Sequence, residues 1–333
     1  MWETRLFLPT LLSVSLATHA GDLLPVSVLL GSLGSQEQGE EELSSSSVAT
    51  ALRDLVDDLQ SDPAEERSDL YVVLPQRSGE LMRRVGLKLR NMKKKVEVKV
   101  ATDFVMFGDH HQRCEGGDVA ATTGPSPATI VAGLWKKFDT KLDHGLGKPK
   151  KVAAFLQDTN SELARDAADQ LVAARRLMKT QQQDDDDDCD VRRGDDVSPF
   201  DRFPKFPLPL VVVAKSRRQS SATITLSSTR RQVLIAVEET DVQLSTAQAS
   251  VQLRSWAVES EDKALIERAG RHWATWVQSR GIASDSTSSD CSSSLSNPPP
   301  QDQGGVLSYP EVVSTFYLSQ RMHAAEETGS SRL

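Results

Sequence analysis

Between residues 11 and 178, apolar runs of strand length alternate with apolar stripes at helical spacing, and that alternation constrains the fold more than any other feature. Leu11–Ala17, Asp69–Leu74, Val96–Phe107 and Lys151–Leu156 read as strands. Val48, Leu52, Leu55, Val56 and Leu59 recur on one helical face, and so do Leu81, Met82, Val85, Leu89 and Met92. Ala128–Phe138 reads as a helix after Gly124-Pro125-Ser126-Pro127, and Leu163, Ala167, Leu171, Ala174 and Met178 mark another. Strands alternating with helices predict an α/β fold, a parallel sheet covered by helices on both faces. The face opposite the Leu81–Met92 stripe carries Arg83, Arg84, Lys88 and Arg90, which reads either as a solvated surface or as an attractor for an anionic substrate.

The pattern changes near residue 180. Gln181–Asp190 contains five consecutive aspartates, Asp184–Asp188, and a like-charge block of this kind repels itself. The chain therefore divides into an α/β domain at 10–180, an acidic linker at 181–198 and a smaller α+β domain at 199–325. In the last of these, Leu208–Lys215, Ala222–Leu226 and Gln232–Val237 read as strands, and Leu265, Ile266, Ala269, Trp273, Trp276 and Val277 as a helix. A Ser/Pro-rich insertion covers 284–305.

Bulk properties exclude some classes of function. A net charge of −8 argues against a general nucleic-acid binder. No apolar run reaches the length of a membrane span. Cys114, Cys189 and Cys291 are far apart and form no disulfide framework, which points to a reducing, cytoplasmic setting. Ser331-Arg332-Leu333 offers an alternative address, since it is a close variant of the peroxisomal Ser-Lys-Leu signal. Leu6–Ala17 followed by Thr18-His19-Ala20 has the outline of a secretory signal, although Glu3 offsets Arg5, and it competes with the reading of Leu11–Ala17 as a buried strand.

The chemistry-bearing motif is Gly108-Asp109-His110-His111, at the end of the Val96–Phe107 run. Imidazole and carboxylate suit transition metals such as Mn²⁺, and a strand end fixes them while leaving one side open. The competing reading is a polar loop with two solvated histidines.

The order of motifs resembles the DHH phosphoesterases, in the branch of exopolyphosphatases, prune-like proteins and manganese-dependent inorganic pyrophosphatases. Thr18-His19-Ala20-Gly21-Asp22-Leu23-Leu24-Pro25 is similar to that family's first motif, and Tyr71–Leu81, with Arg77, to its Arg-containing loop. Asp109-His110-His111 precedes Gly124–Val131, which is similar to a helix start in the family. Val152–Phe155 leads into Asp158-Thr159. The resemblance covers about residues 10–180 and implies a metal-binding parallel α/β domain.

By that resemblance, Asp22, His110 and Asp158 would be metal ligands, and His111 would serve catalysis at the phosphate. Asp109 would orient His110. Arg77 and Ser308 would contact substrate. Mn²⁺ or Mg²⁺ is implied, as one ion or two, with polyphosphate or pyrophosphate as substrate. Three departures bear on activity. Leu24 stands where the family has an aspartate, Thr18 where it has Asn or His, and no acid lies at Leu89–Asn91. Ser216-Arg217-Arg218-Gln219 is similar to the family's closing basic motif but comes early in the chain, and it also reads as an exposed basic turn. The expectation is a metal-dependent phosphoanhydride hydrolase with a reduced site. The alternative is a catalytically inactive relative that binds or regulates. Oligomeric state stays open.

Overall fold

The structure, a computed structural model, describes residues 1–10, 58, 63–74, 83–92, 95–107, 129–142, 145–181, 206–226, 231–279 and 305–330. Among these described residues, nine strands run in chain order: β1 Trp2–Pro9, β2 Glu65–Val72, β3 Val85–Leu89, β4 Lys95–Phe107, β5 Thr129–Lys141, β6 Leu210–Leu226, β7 Arg231–Ser245, β8 Ser250–Ser260 and the short β9 Gly305–Val306. Among the described residues, four α-helices accompany them: α1 Pro149–Asp158, α2 Glu162–Gln181, α3 Lys263–Ser279 and α4 Tyr309–Ser330.

The strands form one antiparallel sheet in the order β5-β4-β3-β2-β6-β7-β8-β1-β9. The sheet closes on itself. β1 pairs with β8 along its whole length, and its other edge meets β5 at Trp2↔Leu134 and Glu3↔Gly133, then β9 at Leu6↔Val306. Eight long strands thus make a barrel with no free lateral edge at the β1–β5 seam.

Period-two alternation explains how this sequence builds it. Outward-facing Leu70, Val72, Leu87, Leu89, Val96 and Val98 pack under α1 and α2, against Val152, Leu156, Ala164 and Leu171. Outward-facing Leu6, Ile235, Val237, Trp256 and Val258 pack under α3, against Ile266, Ala269, Trp273 and Val277. α2, α3 and α4 start where side chains accept their first free N–H groups. Ser161 Oγ takes the Ala164 amide at 3.4 Å, Asp262 Oδ1 the Leu265 amide at 3.0 Å and Ser308 Oγ the Glu311 amide at 3.3 Å. The apolar layers therefore lie outside the barrel wall, between sheet and helices.

One end of the barrel is filled. Inward-facing Phe7, Val73, Val211, Val213, Val242, Leu244 and Leu253 form a third cluster with Val312, Val313 and Phe316 of α4. Gly86 sits where α4 begins, and a Cβ there would lie 3.0 Å from Pro310 Cγ, so the close approach needs glycine.

These observations overturn the parallel α/β sheet expected from the sequence, and with it the domain fold implied by the DHH resemblance. The Leu81–Met92 stripe, expected as a helix, contains strand β3, because Val85, Leu87 and Leu89 alternate as well as they fit a helical face. Ala128–Phe138, also expected as a helix, is in strand β5 from Thr129. Lys151–Leu156, expected as a strand, belongs to α1, which Pro149 opens and Val152, Ala153 and Leu156 bury along one side. Leu208–Lys215 and Ala222–Leu226 are parts of a single strand, β6. The sheet also draws strands from both sides of residues 181–198 into one wall, since β2 pairs with β6. Leu11–Ala17 lies outside the described residues, as do the acidic tract and the 284–304 insertion. Among the described residues, no helix is long and apolar enough to cross a membrane.

Candidate functional site

The residues between the outward-facing apolar ones point into the barrel, and they are charged. Glu3 and Arg5 come from β1, Arg67, Asp69 and Tyr71 from β2, and Lys88 from β3 with Arg90 just after it. Glu97 and Lys99 come from β4, Trp135 and Lys137 from β5, Lys215 and Arg217 from β6, Glu238 from β7 and Glu259 from β8. Together with Ser308, Tyr309 and Pro310 they line a cavity of about 230 Å³, room for roughly seven or eight waters at ~30 Å³ each.

Eight of the lining side chains are cationic (Arg5, Arg67, Lys88, Arg90, Lys99, Lys137, Lys215 and Arg217) and four are carboxylates (Glu3, Glu97, Glu238 and Glu259). Counting the fully buried Asp69 as a fifth acid, the wall still carries three positive charges in excess, inside a chain whose net charge is −8.

Most of the carboxylates are shared between cations. Glu238 meets Arg5 at 2.7 Å and Arg217 at 3.4 Å, and it accepts a hydrogen bond from Thr240 at 2.9 Å. Asp69 meets Lys88 at 2.9 Å, Arg67 at 3.3 Å and Lys215 at 3.8 Å. Glu97 meets Lys137 at 3.0 Å, Lys88 at 3.2 Å and Arg90 at 3.9 Å. Glu3 pairs with Arg5 at 3.1 Å and also with Lys99.

The protonation of these groups follows from that lattice. Burial alone would raise the carboxyl groups, but Arg5 and Lys215 hold Glu238 far below the ordinary range. Lys88 and Lys215 lower Asp69, Lys88 and Lys137 lower Glu97, and Lys99 and Arg5 lower Glu3, each against the opposing effect of burial. Glu259 goes the other way. It lies directly across from Glu3 in the β1–β8 register, and burial together with the Glu3 charge raises it. Lys215 is pushed well below the usual lysine value by burial and by the neighbouring Lys88.

An array of this kind suits a linear polyanion. Cations on every side of a closed wall can coordinate successive phosphate oxygens, and low dielectric strengthens each contact. For a divalent ion the donors are fewer. Among the described residues, no group of three or more His, Cys, Asp or Glu side chains is placed to hold a metal. The adjacent carboxyls of Glu3 and Glu259 are two oxygen donors whose mutual repulsion a cation would relieve. That fits Mg²⁺, which commonly takes one or two carboxylates and completes its shell with water and substrate phosphate.

Two of the sequence-predicted site residues, Ser308 and Asp158, are among the described residues. Ser308 lines the cavity, but its hydroxyl is committed to capping α4 and donates to the Arg83 carbonyl at 2.8 Å. Asp158 is exposed at the end of α1, on the outer helical layer. Asp22, Arg77, Asp109, His110 and His111 lie outside the described residues. Ser216–Gln219, one of whose readings was an exposed basic turn, lies within β6, and Arg217 faces the lumen.

No family model matches the chain, and no curated protein is similar to it. Among solved structures, the chain is similar to a Hippeastrum protein described as a candidate adenylyl cyclase with a dominant triphosphatase activity. The two are 10% identical, the match covers 85% of this chain and 88% of that one, and the TM-score is 0.27.

Proposed function

We propose that the tunnel binds a short phosphate chain, such as tripolyphosphate or the triphosphate of a nucleotide, and hydrolyses a phosphoanhydride bond in it. The observation that carries this reading is the excess of cations on the inner wall of a closed barrel, in an otherwise acidic protein. A lumen so charged and so narrow is costly to fold unless a polyanion completes it.

Arg5, Arg67, Lys88 and Arg217 would hold the non-bridging oxygens and the charge that grows on them as the bond breaks. Lys99 and Lys137, 38% and 42% exposed, would draw the chain in at the mouth. A water oxygen bonds to the terminal phosphorus while the bridging P–O bond breaks, and its electron pair leaves on the shortened chain. The water's proton passes to a non-bridging oxygen of the phosphate chain, which serves as the base. Glu3 and Glu259 would hold a divalent ion such as Mg²⁺ or Mn²⁺, which supplies Lewis-acid stabilisation of the phosphate oxygens when bound. Pyrophosphatase and exopolyphosphatase activity are finer versions of the same reading.

A second reading is supported by the fact that Glu3, Asp69, Glu97 and Glu238 are all already neutralised by cations. In that case the tunnel binds polyphosphate without turning it over. Phosphate release from tripolyphosphate, pyrophosphate and ATP, measured with and without Mg²⁺ or Mn²⁺, separates the two. Metal-dependent turnover that falls roughly 100-fold or more in Arg217→Ala supports hydrolysis. Tight calorimetric binding with no phosphate released supports the silent binder. Neither binding nor release would end the phosphate reading.

A further inference from the structure

The tunnel has a floor, and the floor is a single ring. Tyr309, the first residue of α4, sits edge-on to Phe7, with ring centroids 5.1 Å apart, and stacks on Tyr71 at 6.2 Å. Lys215 Nζ lies 3.5 Å and Arg5 Cζ 4.7 Å from the centre of its face. The hydroxyl is buried beside Ser255. Behind the ring, Val312, Val313 and Phe316 join the apolar cluster that fills this end of the barrel.

The chain around Tyr309 is fastened on two sides. The Leu307 amide donates to the Arg5 carbonyl at 3.0 Å, and the Ser308 hydroxyl to the Arg83 carbonyl at 2.8 Å. Glu311 pairs with Arg83 at 3.1 Å, and Pro310 abuts the bare face of Gly86. The cations descend from Lys99 and Lys137 at the exposed mouth to Arg5 and Lys215 at this ring and stop there.

The geometry points to Tyr309 as a chain-length gauge. The tunnel is blind, so a phosphate chain enters by a free end, and the tyrosine ring fixes how many phosphates fit between floor and mouth. This rests on the phosphate-chain reading above and adds a specificity determinant to it. Affinity should rise with each added phosphate until the cations are filled and then level off, whereas an open tunnel would keep rewarding longer chains.

The test is calorimetric affinity of the full chain for linear pyrophosphate, tripolyphosphate and tetrapolyphosphate. In the native protein the tetra- and tripolyphosphate affinities should be nearly equal. Tyr309→Ala deepens the tunnel, so that a fourth phosphate comes inside the mouth onto Lys99 and Lys137, and should raise the ratio of tetra- to tripolyphosphate affinity roughly tenfold, the weight of one added charge-assisted contact. Tyr309→Phe keeps the ring and should keep the native ratio. If Tyr309→Ala does not fold by circular dichroism, Tyr309→Leu reads the same ratio with an apolar side chain still on Phe7. A folded Ala or Leu variant that binds tripolyphosphate with the native ratio would overturn the gauge and leave the phosphate-chain reading standing. A native protein that binds none of the three chains would overturn both.

Discussion

The two faces of the barrel wall are made by the same strands and obey opposite rules. On β4, Val96 and Val98 lie under α1 and α2, while Glu97 and Lys99 between them face the lumen. On β1, Leu6 and Leu8 pack outward, and Glu3 and Arg5 point inward. The outer face draws its stability from apolar area removed from water, about 25 cal/mol per Å². The inner face has had its charges taken out of bulk water and recovers that cost only through paired partners. A wall built this way stores stability on one side and function on the other.

Breaking each face should show the difference. Trp273→Ala, in the outer layer, should cost about 3–5 kcal/mol in urea unfolding, from lost burial and the cavity left behind. Adding tripolyphosphate should stabilise this variant by the same increment as the native protein, because the lumen is untouched. Glu238→Ala should cost a similar ~3–5 kcal/mol for another reason, since it leaves the buried Arg5 and the half-buried Arg217 without their shared carboxylate. Here tripolyphosphate should restore more stability than it gives the native protein. Equal increments in the two variants would mean that the inner face is not the ligand's.

Gly86→Val sharpens the comparison at the seam where α4 meets the wall. It should destabilise by about 1–3 kcal/mol by displacing Pro310.

Acid should loosen the inner face first. Glu3, Asp69, Glu97 and Glu238 all have folded values held below their unfolded ones, so their contribution is complete above an unfolded carboxyl value of about 4. It is lost as pH falls through the lowered folded values. Unfolding midpoints measured from pH 6 down to pH 2 should therefore fall below about pH 4. The smallest effect should come from Lys137→Ala at the mouth. Lys137 itself is well exposed and Glu97 keeps Lys88 as a partner, so the loss to stability should be at most about 1 kcal/mol. The same change should weaken tripolyphosphate binding several-fold, roughly tenfold at low salt.

Several strands were legible in the sequence, and the way they assemble was not. Asp69–Leu74, Val96–Phe107 and Gln232–Val237 overlap β2, β4 and β7, and the helix read from Leu265 to Val277 is α3. The errors fell where two periods fit equally well. Val85, Leu87 and Leu89 alternate at period two, yet with Leu81 and Met92 they also trace a helical stripe, and pairing with β2 and β4 decided between them. The prolines before Ala128–Phe138 suggest a helix start, although Trp135, Lys137 and Asp139 alternate with Leu134, Lys136 and Phe138 along the strand.

The site was hidden for a related reason. The charged face with Arg83, Arg84, Lys88 and Arg90 reads in the sequence either as a solvated surface or as an attractor for an anionic substrate, and a charged sheet face is usually solvated. Only closure turns such a face inward. The readable signal was the recurrence, strand after strand, of charged residues spaced by two: Glu3 and Arg5, Arg67 and Asp69, Lys88 and Arg90, Glu97 and Lys99, Lys215 and Arg217. That Glu97 would share Lys88 and Lys137 depends on which strands flank β4, and the sequence does not show this locally.

The β1 seam has a consequence for how the molecule comes into being. Residues 2–9 find their full-length partner only at residues 250–260, across most of the polypeptide. Contacts this distant are slow to form, because a long loop must close before any of them is rewarded. During synthesis β1 must wait for β8 to follow it. No partial product can hold half a ring of charges and bind half as well, so the capacity to capture a ligand arrives all at once, with the last stitch of the wall.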